Sequence, residues 1–313
     1  MKTLIRKALP FGAGRNGTSP ETIGRFPSAP PGHDAATGVL VADLHYELVP
    51  MKSIEQAIDD LPPSSHVSVT CSPAKGIPAT LEYTERLLEL GHRPIPHLAA
   101  RLVEGPEDAT RLARWVRDHG LDEVFVIAGD APEAVGSYEG ALPFIRDFLA
   151  AGPGVGRLGL PGYPDGHALI ELGEINRQLH AKQGLLADAG VAGWISTQMC
   201  FDEDTIRAWI GRERAAGLTL PIRLGVPGVV DRTRLMTMGT RLGIGASMRY
   251  LSKNRSTVMH LMAPGGFDPT DMVVAFAVDA EARGIEALHS FTFNAVAETR
   301  AWQEAIVEGS RAR

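Results

Sequence analysis

The sequence predicts an α/β fold, a closed (βα)8 TIM barrel, on three observations. Eight short apolar or β-branched runs recur along the chain, alternating with stretches whose apolar residues follow helical spacing. The length, 313 residues, suits one such barrel, which needs about 250 residues plus insertions. A polar or turn residue ends nearly every run, where a parallel barrel builds its binding groups. An open doubly wound sheet is the alternative, but it would carry a glycine-rich dinucleotide fingerprint after a strand. Gly152-Pro153-Gly154-Val155-Gly156 is proline-bound and precedes a strand instead.

Residues 1–37 are rich in Gly, Pro, Ser and Arg and read as an extended N-terminal arm; residues 38–313 read as the barrel. The first strand is expected to begin at Val39-Leu40-Val41-Ala42 and run toward Tyr46-Glu47-Leu48-Val49. Val67–Thr70 is the second, followed by a helix over Thr80–Leu90. Pro94–Leu98 is the third, and Leu112, Trp115 and Val116 mark the helix that ends at His119-Gly120. Val124–Ile127 is the clearest strand. A helix around Phe144–Leu149 leads to Gly156–Leu160. Gly193–Thr197, Ile222–Val226 and Ala287–Phe291 complete the set. No short internal repeat stands out.

Composition bounds the function. Apolar residues make up 44% and charged residues 22%, enough to build a large core. A net charge of −6 argues against bulk nucleic-acid binding and against an electrostatic membrane anchor. No run of 18 apolar residues occurs, so no transmembrane helix is expected. The start, Met1 to Lys7, has charge but no apolar core behind it, so no signal peptide is expected either. Cys71 and Cys200 belong to no CxxC pair, so neither a disulfide framework nor a structural zinc site is expected, and a cytoplasmic setting fits. A homo-oligomer is compatible with all of this.

The strand-end residues are Glu47, Thr70, His97, Asp130, Tyr163 with His167, Gln198 and Asn294. One alone means little, since strand-end polar groups often cap the next helix. Seven on one rim predict a pocket. His97 and His167 lack a clustered set of further ligands, so no metal is expected.

These residues also carry a resemblance. Tyr46-Glu47-Leu48-Val49-Pro50-Met51-Lys52, Val67–Thr70, Pro96-His97-Leu98, Gly129-Asp130 and Gly162-Tyr163-Pro164-Asp165-Gly166-His167 come in that order. Asp188-Ala189-Gly190, Thr197-Gln198, Phe201-Asp202 and Phe291-Thr292-Phe293-Asn294 follow. This ordered set resembles methylenetetrahydrofolate reductases and spans about residues 46 to 294. The resemblance implies an oxidoreductase of one-carbon metabolism. Such enzymes interconvert 5,10-methylenetetrahydrofolate and 5-methyltetrahydrofolate with hydride passing between NAD(P)H, FAD and the folate.

It also implies roles. Glu47 would be the general acid that protonates N10, provided burial keeps its proton near neutrality. Asp130 would contact the pterin and tune the flavin. Gln198 would hold the pterin edge, with Phe291 also against the substrate. Thr70, His97, Gly129, Asp130, Tyr163 and His167 would line the flavin. The chain departs from the pattern at Ala128, Leu185, Leu186, Phe291, Ala295 and Met51. The first three replace groups that include a basic pair facing the FAD phosphates, which puts the flavin in doubt; Lys182 or Arg177 could compensate. Two alternatives remain open: a flavin-independent reductase passing nicotinamide hydride directly to folate, and a non-catalytic folate-binding barrel.

Overall fold

The computed structural model describes residues 35–231 and 267–311. Eight parallel strands close into a barrel in chain order, with β8 hydrogen-bonded back to β1. They are β1 Leu44–Leu48, β2 His66–Val69, β3 Arg93–Ala99, β4 Glu123–Ile127, β5 Arg157–Gly162, β6 Ala192–Thr197, β7 Ile222–Pro227 and β8 Ile285–Phe291. The described helices are α1 Ala35–Ala42, α2 Ile54–Asp59, α3 Gly76–Glu89, α4 Pro106–Asp118, α5 Ala141–Ala150 and α6 Leu172–Asp188. After these come α7 Glu203–Ala215, α8 Thr270–Ala277, α9 Ala280–Arg283 and α10 Val296–Arg311. The fold class expected from the sequence is therefore the one observed.

One expectation needs correction. Val39–Ala42 does not begin a strand; it lies in α1, and β1 starts only at Leu44. A four-residue apolar run cannot be assigned by periodicity alone, and packing decides it. Here α1 lies against α10, and Gly38 approaches Ser310 so closely that a Cβ would meet its Oγ at 2.0 Å. The expected arm lies outside the described residues over 1–34, while residues 35–37 already belong to α1.

Strand parity divides the barrel's two surfaces, because successive side chains point to opposite faces. On β1, Leu44, Tyr46 and Leu48 join the large core shared with the helices. The same outward core takes Val67 and Val69, Val124 and Val126, Leu158 and Leu160, and Leu224 and Val226. His45 and Glu47 have the opposite parity and face the barrel interior.

That interior is layered. Its floor, at the strands' amino ends, is an ion network centred on buried Arg223. The guanidinium donates to both carboxylate oxygens of Glu123 at 2.7 and 2.8 Å and to Glu286 at 2.9 Å, and lies 3.8 Å over the Trp194 ring. Arg157 also pairs with Glu123 and Glu286. Above the floor, Ile95, Phe125 and Trp194 form an apolar plug, with the two rings 5.2 Å apart. Only glycine fits at position 159 on β5. A Cβ there would meet Trp194 at 2.3 Å and Phe125 at 2.5 Å. The plug gives the upper polar layer a rigid base; truncating either ring would cost about 3–5 kcal/mol.

Among the described residues, no helix is long and apolar enough to cross a membrane.

Candidate functional site

The polar layer above the plug sits at the carboxyl ends of the strands. Glu47, the penultimate residue of β1, lies in register with Ser68 on β2 and Phe291 on β8. Its side chain is buried, and its Oε2 lies 3.1 Å from His289 Nε2. Among the described residues, this histidine is the one basic group within ion-pair distance of Glu47. Glu47 thus pairs with a basic residue, and that residue is a histidine rather than an arginine or lysine.

His97 completes the cluster from β3. Its ring packs at 4.6 Å on Phe125, and it feels the charges of Glu47 and His289. Burial pushes its pKa down to about 4, against the opposing pull of Glu47, so the imidazole is neutral near pH 7. Several buried atoms of this layer have no hydrogen-bond partner among the described residues: Ser68 Oγ, Thr70 Oγ1, His97 Nε2, Ser196 Oγ and His289 Nδ1. Buried polar atoms are normally paired, so a row of orphans facing one interior points to a bound polar ligand or waters.

The remaining rim residues stand at the same end. Thr70 follows β2, and its backbone continues the ladder by donating to Leu48 O. Gly129 and Asp130 follow β4. Gly129 has φ 92°, and a Cβ there would press on Ala99 at 2.9 Å, so this turn requires glycine. Asp130 is exposed. Tyr163 follows β5; burial first, then the Asp130 carboxylate, push its hydroxyl up to about 12. His167 lies edge-on to Tyr163 at 5.2 Å and accepts from the Leu169 amide through Nδ1. Gln198 follows β6. Its backbone N–H donates to Gly162 O, and its Oε1 accepts from the Met199 amide at 2.8 Å, which leaves the side-chain NH2 to donate. Phe291 is buried in a rim cluster with Met199, Phe201, Val230, Phe267 and Phe293, and its ring meets His289 at 5.0 Å.

Two residues do other work. Asn294 clamps the β1 end rather than lining the interior, through Val49 and Ser53. Asp202 caps α7 by accepting from the Asp204 and Thr205 amides. Lys182 lies in mid-helix α6, the helix on which the sequence reading placed it. It shares a face with Ile175, Leu179 and Leu186, and burial pushes its pKa down to about 8.

The sequence reading missed His289 and Ser68. Both lie within apolar runs, and only interior parity, counted from Glu47 and its register partners, reveals them.

Among the described residues, one group elsewhere has metal-ligand spacing: Asp43, His45 and His66, at the floor. Arginine only donates, so the Arg93 contact at 3.2 Å already occupies the His66 Nε2 lone pair. Arg223 stands 3.5 Å from His45. Guanidinium groups thus hold this cluster as part of the ion network.

No family model matches this chain. One solved structure is similar over 86% of this chain and 96% of its own, with a TM-score of 0.56 and 14% sequence identity. It is an uncharacterized protein from Clostridium thermocellum that binds two copies of 5-methyl-5,6,7,8-tetrahydrofolic acid. At that identity the likeness establishes a shared barrel fold.

Proposed function

We propose that this chain binds a reduced folate at the barrel's carboxyl rim and interconverts its 5,10-methylene and 5-methyl forms. The observation that carries this reading is Glu47: a buried carboxyl at the rim, paired with a histidine and, among the described residues, with no permanent cation. The folate bound by the similarly folded protein supports the ligand class.

In this reading Glu47 gives a proton to N10 of the bound folate. The bond between N10 and the methylene carbon breaks with its electron pair going to N10. The N5 lone pair then forms an iminium, which accepts hydride. Gln198 holds the pterin edge through its NH2, and Asp130, exposed after β4 and close enough to act on Tyr163, contacts the pterin. The Ile95–Phe125–Trp194 plug keeps water from entering below. NAD(P)H is the proposed hydride source.

The residues do not fit FAD well. Its diphosphate needs cations, yet Leu186 is only 1% exposed and packs toward Gly193, Leu185 joins the same core, and residue 128 is alanine. Charge-assisted contacts contribute roughly 1.5–3 kcal/mol each, so losing a basic pair is a large loss. Lys182 is half-buried in mid-helix and does not replace the pair. Of the two hydride routes, direct transfer from nicotinamide is therefore favoured, and no step is routed through a flavin.

The test is anaerobic turnover of 5,10-methylenetetrahydrofolate with NADH or NADPH, using protein checked for flavin absorbance. The reading expects turnover without bound flavin, reduced roughly 100-fold or more in Glu47→Gln. Folate binding without turnover under any donor would leave the non-catalytic barrel as the better reading.

A further inference from the structure

We propose that Glu47 and His289 hold one proton between them, and that this shared proton is the one delivered to the bound substrate. His289 is then a positioning residue that acts through Glu47. The substrate half of this rests on the folate reading above; the proton pair does not.

The geometry carries the argument. Both side chains are buried, on adjacent strands β1 and β8, with Nε2 and Oε2 3.1 Å apart. An arginine or lysine partner would hold Glu47 permanently ionised, since neither gives up its proton near neutrality. A histidine partner does not. The pair can exist as carboxylic acid with neutral imidazole, or as carboxylate with imidazolium. Both forms carry zero net charge, the arrangement a buried site favours, and the proton belongs to the pair rather than to either residue.

Among the described residues, the surrounding charges set no competing lock. His97 faces the pair from β3 and is neutral. His45, on β1 beneath His289 in register, is kept neutral by burial and by Arg223, which reaches it from β7. Arg223 and Arg157 on β5 are committed to Glu123 and Glu286 at the floor. Ser68 Oγ, His97 Nε2 and His289 Nδ1 stay unpaired beside the pair, polar atoms available to a ligand or to the water that returns the proton.

Delivery breaks the acid's O–H bond and forms N10–H, while the electron pair of the cleaved bond between N10 and the methylene carbon stays on N10. The pair is left as carboxylate and neutral imidazole with net charge −1. It then faces a substrate that has become an iminium cation, an attraction present only once the ring has opened.

Histidine-selective NMR titration of the parent, Glu47→Gln and His289→Gln tests this, with thermal melts confirming that both variants fold. The His289 signal is the one lost in His289→Gln. Its proton affinity is expected to fall about tenfold or more in Glu47→Gln, because the carboxylate that shares the proton is gone. An unchanged titration overturns the proposal. With folate turnover as a second readout, His289→Gln should move the basic limb of the pH profile to lower pH and cut kcat at pH 7 roughly tenfold or more. KM should hold within about twofold, where a merely structural loss would alter both. An unmoved limb also overturns the proposal. If the NMR coupling is present but the parent neither binds nor turns over folate, the folate reading fails and the proton pair stands.

Discussion

Asn294 pairs with Val49 as a neighbouring strand would: its Nδ2 donates to Val49 O at 2.9 Å, and its Oδ1 accepts from Val49 N at 2.8 Å. The residue sits at φ 64°, a left-handed conformation that asparagine tolerates better than most side chains. Thr292 Oγ1 adds a second staple by donating to Glu47 O at 2.5 Å. The turn after β8 thereby fixes the end of β1 that carries Glu47.

Asn294→Ala should therefore destabilise the protein by about 2–3 kcal/mol, the cost of leaving both Val49 groups unpaired and straining the turn. The expected fall in Tm is roughly 3–5 °C. A melt within a degree of the parent's would show that water replaces the clamp at no cost.

Leu186→Lys addresses the flavin question directly. Leu186 is buried against the barrel under Gly193, so the new ammonium would enter the core unpaired. Destabilisation of about 3 kcal/mol or more is expected, with no gain in FAD affinity. Tighter FAD binding by calorimetry at an unchanged Tm would instead place this position beside a phosphate.

Much of this was legible in the sequence, for a physical reason. Val124–Ile127 and the other strands are short apolar runs because a parallel strand covered by helices is buried on its outer face. Strand ends such as Glu47, His97 and Gln198 stood out because polarity there has no core duty. Val39–Ala42 misled because it is equally apolar, and its helical state is decided by α10, some 260 residues away in sequence. His289 stayed hidden because polar residues inside an apolar run look incidental until the register of β8 on β1 shows which of them shares the interior with Glu47. Asn294 was visible as polar, but its role as a backbone clamp follows from a turn conformation that sequence spacing does not encode.

His97 supplies a pH dependence. Its folded pKa, about 4, lies below the ordinary histidine value of 6.5, so between those limits the unfolded chain binds the proton and the native state does not. Stability therefore rises with pH through this window and is lost as pH falls from about 6.5 toward 4. Buried His45, also held low, adds a loss of the same sign. Denaturant titrations at pH 7 and pH 5 should show the parent losing about 2 kcal/mol more than His97→Gln between them. Equal losses would mean that His97 is not the buried neutral group described.

Gln198 is where binding of a reduced folate is tested most directly. With its Oε1 committed to the Met199 amide, its NH2 is the donor left for a pterin edge. The decisive measurement is calorimetric titration of 5-methyltetrahydrofolate into flavin-free parent and into Gln198→Ala under the same conditions. The account predicts saturable binding by the parent and a weakening of roughly 5- to 150-fold in the variant, the loss of a buried hydrogen bond contributing about 1–3 kcal/mol. No binding by the folded parent at millimolar folate, or equal affinity in the two proteins, would contradict it.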